Sequence, residues 1–95
     1  GELHAIRLKP AVEHLCDKIG RSYEGRVRFS GDSDAIVFAQ PGFAEQAISN
    51  LLVNALKYSP ADAPVEARLR GQSLEIEDSG SGIPSHVLAH LGQPF

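Results

Sequence analysis

Asn50, Asn54 and Lys57 could do chemistry together, because on a helical projection they fall within about 60° of one another. A solvated helix face ordinarily carries Lys and Glu. Two amides and an ammonium in one row suit a different task. Amide oxygens are neutral ligands for a hard cation such as Mg²⁺ that is already shared with phosphates and waters. An ammonium adds a point charge for a phosphate oxygen. Tyr58, next in the chain, offers a ring to line a pocket. The same amides could instead serve helix termination or a helix–strand bridge, and residue types leave both uses open.

A second group lies at the end of a strand. Ser73-Leu74-Glu75-Ile76-Glu77-Asp78 alternates, so Leu74, Ile76 and Asp78 share one face while Glu75 and Glu77 share the other. The apolar pair must face the core, so Asp78 is predicted to point inward, where a carboxylate is costly without hydrogen-bond donors. The exocyclic amino group of an adenine would be such a donor. An Asx turn over Gly80 is the plainer use of the same aspartate. Gly80 and Gly82 remove Cβ atoms where a flat base or a backbone must come close. The run Asp78-Ser79-Gly80-Ser81-Gly82 lacks the third glycine of the dinucleotide-binding pattern and the Lys-Ser/Thr of a phosphate loop. A nucleotide here would be held by another construction.

The elements that must position these groups follow from periodicity. His4–Leu8 alternates and predicts a short strand. Pro10 suits the first turn of a helix carrying Val12, Leu15, Cys16 and Ile19, with Gly20 as its stop. Arg26–Phe29 is a second strand, 30–34 a turn cluster, and Ala35–Phe38 a third strand. Pro41-Gly42 punctuates, and the central helix is predicted from Phe43 to Tyr58, with Ala44, Ile48, Leu51, Leu52 and Ala55 on its buried side. After a loop over 59–64, Val65–Arg70 and Ser73–Asp78 read as an antiparallel hairpin. Ser85 is predicted to cap a short helix with Val87, Leu88 and Leu91. Helices on one face of a mixed, mainly antiparallel sheet make this an α+β fold, a two-layer sandwich.

Ninety-five residues allow one domain with a single core. A net charge of −3 gives no general attraction to nucleic acid or to an anionic membrane, so an anionic ligand must be held by local geometry. The single cysteine, Cys16, has no internal disulfide partner and is expected to be a buried structural thiol. No run approaches the ~18 apolar residues of a membrane span.

Taken together, these motifs resemble the catalytic ATP-binding domain of sensor histidine kinases, within the superfamily that includes gyrase B, Hsp90 and MutL. Asn50-Leu51-Leu52-Val53-Asn54-Ala55-Leu56-Lys57-Tyr58-Ser59 is similar to the kinase N box. Asp78-Ser79-Gly80-Ser81-Gly82-Ile83-Pro84 is similar to the first glycine box, and Gln93-Pro94-Phe95 to the F box that opens the ATP lid. The N box followed by Asp-x-Gly-x-Gly-Ile is specific as a pair, and the resemblance covers nearly the whole chain.

The resemblance implies a Bergerat-type ATP-binding fold over residues 1–95, lacking the phosphoacceptor helices and the second glycine box. It assigns Asn50 and Asn54 to Mg²⁺ and phosphates, Lys57 to phosphate, and Tyr58 to the border of the nucleotide. Asp78 would accept from the adenine amino group, Gly80 and Gly82 would shape the adenine pocket, and Ile83 would be an apolar wall. Phe95 would open the lid. The cofactors implied are ATP and Mg²⁺. The partners implied are a histidine-bearing dimerisation domain of the same, homodimeric parent and a response regulator. The place implied is the cytoplasmic side of a parent anchored in the bacterial inner membrane.

Two departures bear on the chemistry. Gln40 stands where these kinases usually carry an Asp before the N-box helix. His4, His14, His86 and His90 lie outside any His-Glu/Asp-x-x-x-Pro context, so this chain supplies no phosphoacceptor and no catalytic residue of its own. Related ATPases carry a Glu at the first N-box position to activate water. Here it is Asn50, and an amide is no general base. That favours a kinase over an ATPase, and over an anti-sigma-type serine kinase of the same fold. A nucleotide-binding or docking module without transfer activity stays open on sequence.

Overall fold

The computed structural model describes residues 2–31, 34–78 and 85–91, with Asp78 and residues 85–90 described through their backbone. Their order is β1 (His4–Arg7), α1 (Leu8–Ser22), β2 (Val27–Gly31), β3 (Ile36–Ala39), α2 (Pro41–Tyr58), β4 (Val65–Arg70), β5 (Ser73–Asp78) and β6 (Ser85–His90). The strands form two sheets. β1 and β3 pair antiparallel, and a four-stranded sheet runs β2-β4-β5-β6. Within the larger sheet β2 and β4 are parallel, because the chain between them crosses over through β3 and α2; the other two pairings are antiparallel.

Strand parity sorts the sheet into two unlike faces. Val65, Ala67, Leu69, Leu74 and Ile76 are all buried, and they meet Leu8, Val12, Leu15 and Cys16 of α1 and Ile48, Leu52 and Leu56 of α2. On the other face Arg68 is the hub of an ion-pair cluster. It pairs with Glu66, lies 2.8 Å from Glu75 and 3.5 Å from Glu77, and Glu75 then Glu77 hold its guanidinium pKa above the ordinary arginine value. Glu75 and Glu77 thus take the face opposite Leu74 and Ile76, as alternation predicts.

The α+β class holds, while β2 runs on through Ser30 and Gly31, the start of the predicted turn cluster, and local detail departs from the periodicity in four larger ways. The strands divide into two sheets rather than one. α1 starts at Leu8, whose N–H donates to the Ala35 carbonyl at 3.0 Å, and it passes through Gly20 to Ser22. Gly20 is no stop: the chain turns at Glu24 and Gly25, both at positive φ, and the Gly25 N–H returns to the Gly20 carbonyl at 2.9 Å. α2 starts two residues before Phe43, since Pro41 takes the first helical position, where its missing N–H costs nothing.

The fourth departure is the largest. Ser85–His90 is a strand and not a helix. Its register sets Val87 beside Ile76 and Ala89 beside Leu74. The edge of β5 presents a row of backbone donors and acceptors, and pairing satisfies it. Local helix capping at Ser85 offers less. The buried Leu91 closes the strand, its N–H donating to the Gln72 carbonyl at 2.7 Å.

Cys16 is 3% exposed, as expected of a structural thiol. Burial pushes its pKa from 9.0 up to about 12, with Asp17 and then Glu13 adding repulsion. Between those values the unfolded chain has released this proton and the native chain has not. The unfolded state therefore binds fewer protons, and stability falls as pH rises through that window. A thiol-reactive probe at pH 8 is expected to label Cys16 only when the chain is unfolded; rapid labelling of the native protein would contradict its burial.

Candidate functional site

α2 buries a stripe of Ala44, Ile48, Leu52 and Leu56, each four residues from the next, with Leu51 and Ala55 partly buried beside it. That stripe fixes the helix's rotation against α1 and the sheet. Asn50, Asn54, Lys57 and Tyr58 are consequently exposed, and Tyr58 is 79% so. Among the described residues no hydrogen bond or ion pair engages the side chains of Asn50, Asn54 or Lys57. The helix starts without a side-chain cap: Gln40 gives none, and only its carbonyl is used, accepting from the Ala44 N–H at 3.0 Å.

Asp78 is the last residue of β5 and stands in register with Val65, the first of β4. α2 packs on β5 and β4. Residues 59–64 connect the last turn of α2 to Val65. This connection brings the Lys57–Tyr58 end of the helix and the Asp78 end of the sheet to the same end of the two layers. Helical spacing and strand parity each describe one group; the connection and the register put the elements that carry them at one end of the fold. Gly80, Gly82, Ile83 and Phe95 lie outside the described residues.

An apolar groove of about 490 Å³ runs between α1 and the other half of α2, lined by Ile6, Leu8, Ala11, Leu15, Ala44 and Ile48. It lies against the helix's N-terminal half and takes in neither the Asn50–Lys57 row nor Asp78. Arg7, His14 and Glu45 also stand on its walls, an acid among the basic groups. The exposed Asn50–Lys57 row, with its ammonium and two amides, is the candidate for an anionic ligand and its cation. Among the described residues no cluster of three or more His, Cys, Asp or Glu side chains could hold a metal by itself.

One residue at this end was not signalled by the sequence. Arg26, just before β2, sends its side chain to the 59–64 connection. Its Nε donates to the Ala63 carbonyl at 2.9 Å, and its Nη2 donates to Ser59 Oγ at 2.6 Å and to the Pro60 carbonyl at 2.5 Å. A lone arginine after Gly25 carries no motif, and its partners are more than thirty positions away.

Known proteins share this fold. The sensor protein QseC of Salmonella typhi is 36% identical over 62 residues, which is 65% of this chain and 14% of the relative. The sensor protein KdpD of Mycobacterium tuberculosis is 32% identical over 104 residues, covering 99% of this chain and 12% of the relative. The chain thus spans about an eighth of the curated relatives it matches. Among solved structures, the cytoplasmic segment of histidine kinase QseC superposes with a TM-score of 0.70 at 21% identity, over 82% of this chain and 52% of that one. The ATP binding domain of PrrB from Mycobacterium tuberculosis gives 0.68 at 20% identity, over 87% and 64%. These likenesses establish the fold. No helix among the described residues is long and apolar enough to cross a membrane. Residues 39–95, which take in α2, the β4–β5 hairpin and the glycine-rich stretch, match the family of histidine kinase-, DNA gyrase B- and HSP90-like ATPases, and the chain belongs to that family.

Proposed function

We propose that this chain is the ATP-binding part of a two-component sensor histidine kinase. It presents Mg-ATP to a histidine on a separate dimerisation domain of a homodimeric parent, which then passes the phosphoryl group to a response regulator. The observation that carries this reading is the exposed Asn50–Asn54–Lys57 row on α2, at the end of the molecule where β5 closes on Asp78. Asp78 accepts from the adenine amino group, with Gly80, Gly82 and Ile83 around the base. Lys57 meets a phosphate oxygen, Tyr58 borders the nucleotide and Phe95 opens the lid over it.

The residues present fit Mg²⁺. Asn50 and Asn54 are one turn apart and exposed, and they offer two neutral oxygens. With no acidic cluster among the described residues, a cation held here keeps its charge for the phosphates. When bound, Mg²⁺ would offset negative charge on the phosphates during in-line transfer. The chain's own residues orient the nucleotide and supply no base: Asn50 cannot take a proton from water, so transfer to an imidazole is favoured over hydrolysis. The parent is expected to lie across the bacterial inner membrane with this domain on the cytoplasmic side.

Asn54→Ala is expected to weaken Mg-ATP binding about tenfold in the full-length kinase, since it removes one of the two protein oxygens offered to the cation. Calorimetric titration measures it, and the loss should shrink when ATP is titrated without Mg²⁺. Equal affinity of variant and wild type would remove Asn54 from the site. The 95-residue chain alone should form no phosphohistidine with γ-labelled ATP.

A further inference from the structure

We propose that Arg26 is a positioning residue for the nucleotide site, acting through the connection between α2 and β4. The inference rests on the reading of the site given above. Residues 59–64 are the covalent link between its two halves: Lys57 and Tyr58 end the helix before the link, and Val65, in register with Asp78, follows it. The width of the site therefore depends on how this link is held.

Arg26 holds it at three points, through the side-chain bonds to Ser59, Pro60 and Ala63. Ser59 Oγ in turn donates to the Leu56 carbonyl at 3.4 Å, so the fork reaches the last turn of α2, whose Leu56 is anchored in the core. At the other end, the backbone carbonyl of Arg26 accepts from the Val65 N–H at 2.9 Å and starts the parallel pairing of β2 with β4. One residue is thus joined by its side chain to the end of the helix and by its main chain to the start of the strand. The planar guanidinium suits this task, since its donors point in fixed directions. An ammonium is a single donor atom on a flexible stem, so it does not reproduce donors at two fixed positions, as Nε and Nη2 supply here. Lys57, by contrast, is exposed and outside this network, which leaves it to act on a ligand.

Three variants of the full-length kinase test this at a temperature well below unfolding. Arg26→Gln removes fork and charge, Arg26→Lys keeps the charge, and Gly31→Ala is a destabilised control. At Gly31 an added Cβ would sit 2.9 Å from the Leu69 carbonyl oxygen, at the other end of the β2–β4 pairing from Val65. Both Arg26 variants are expected to lose roughly tenfold in Mg-ATP affinity, as supporting shells around a site commonly do. They should also speed amide exchange over residues 57–65, whereas Gly31→Ala should leave affinity unchanged. Wild-type affinity in Arg26→Lys with loss in Arg26→Gln would mean that the charge alone matters, and would overturn the positioning role. So would equal losses in Gly31→Ala and the Arg26 variants, which would trace the effect to stability. Wild-type affinity in both Arg26 variants would overturn it while leaving the site reading intact. Absence of Mg-ATP binding by the wild type would sink the site reading and the role of Arg26 with it.

Discussion

Asp78→Asn is expected to lower ATP affinity roughly 10- to 100-fold, the range of one hydrogen bond to a charged acceptor. The substitution keeps the size of the side chain and removes its charge, and it puts an NH₂ donor where one carboxylate oxygen accepted. An amino group on the base then faces a donor. The effect should be specific to adenine: wild type is expected to prefer ATP over GTP, which lacks that amino group at the same ring position, and Asp78→Asn should narrow the preference. Asp78 ends β5, so the buried residues of the strand, Leu74 and Ile76, are untouched and the fold should persist. Competitive titration with the two nucleotides measures both quantities. An unchanged ATP affinity would remove Asp78 from the nucleotide site.

The second large effect lies beneath the site. Leu52 is 0% exposed and sits mid-helix in the buried stripe of α2. Leu52→Ala is expected to cost about 2–5 kcal/mol through lost burial and the cavity left behind. A domain of this size has about 5–15 kcal/mol of stability in total, so a large part would be gone. Urea unfolding should show a lower midpoint with an unchanged slope. Because Leu52 lies between Asn50 and Asn54 in sequence but on the opposite side of the helix, the variant also separates fold from site. Saturating Mg-ATP should recover part of the lost stability by mass action, since the exposed row is intact. A change below about 0.5 kcal/mol, the range of surface substitutions, would contradict the packing of α2 on the sheet.

These two residues mark how differently a core and a site are written in a sequence. Leu52 was legible from spacing alone, because burial repeats with the helix and needs no knowledge of what lies opposite. The Asn50, Asn54 and Lys57 row was legible for the complementary reason: it interrupts the expected composition of a solvated face. For Asp78, strand parity gives only an expected side, and the structure describes that residue through its backbone, at the end of β5. Both hairpin strands, β4 and β5, match their predicted bounds because alternation and a tight turn leave one register.

What the sequence by itself determined is the set of local rules: which faces are apolar, which residues could hold a cation and a phosphate, and the family that their joint spacing resembles. What only the tertiary structure decided are the matters in which two distant segments compete or cooperate. Ser85–His90 became β6 because the open edge of β5 has backbone groups to pair, a force that no local cap signal contains. Gly20 stayed helical because the turn was made at Glu24 and Gly25. Arg26 found three acceptors on the connection after α2 because the parallel pairing of β2 and β4 carried it there. Local rules act through neighbours in the chain, and a cation, an edge or a turn is settled only when packing chooses the neighbours in space.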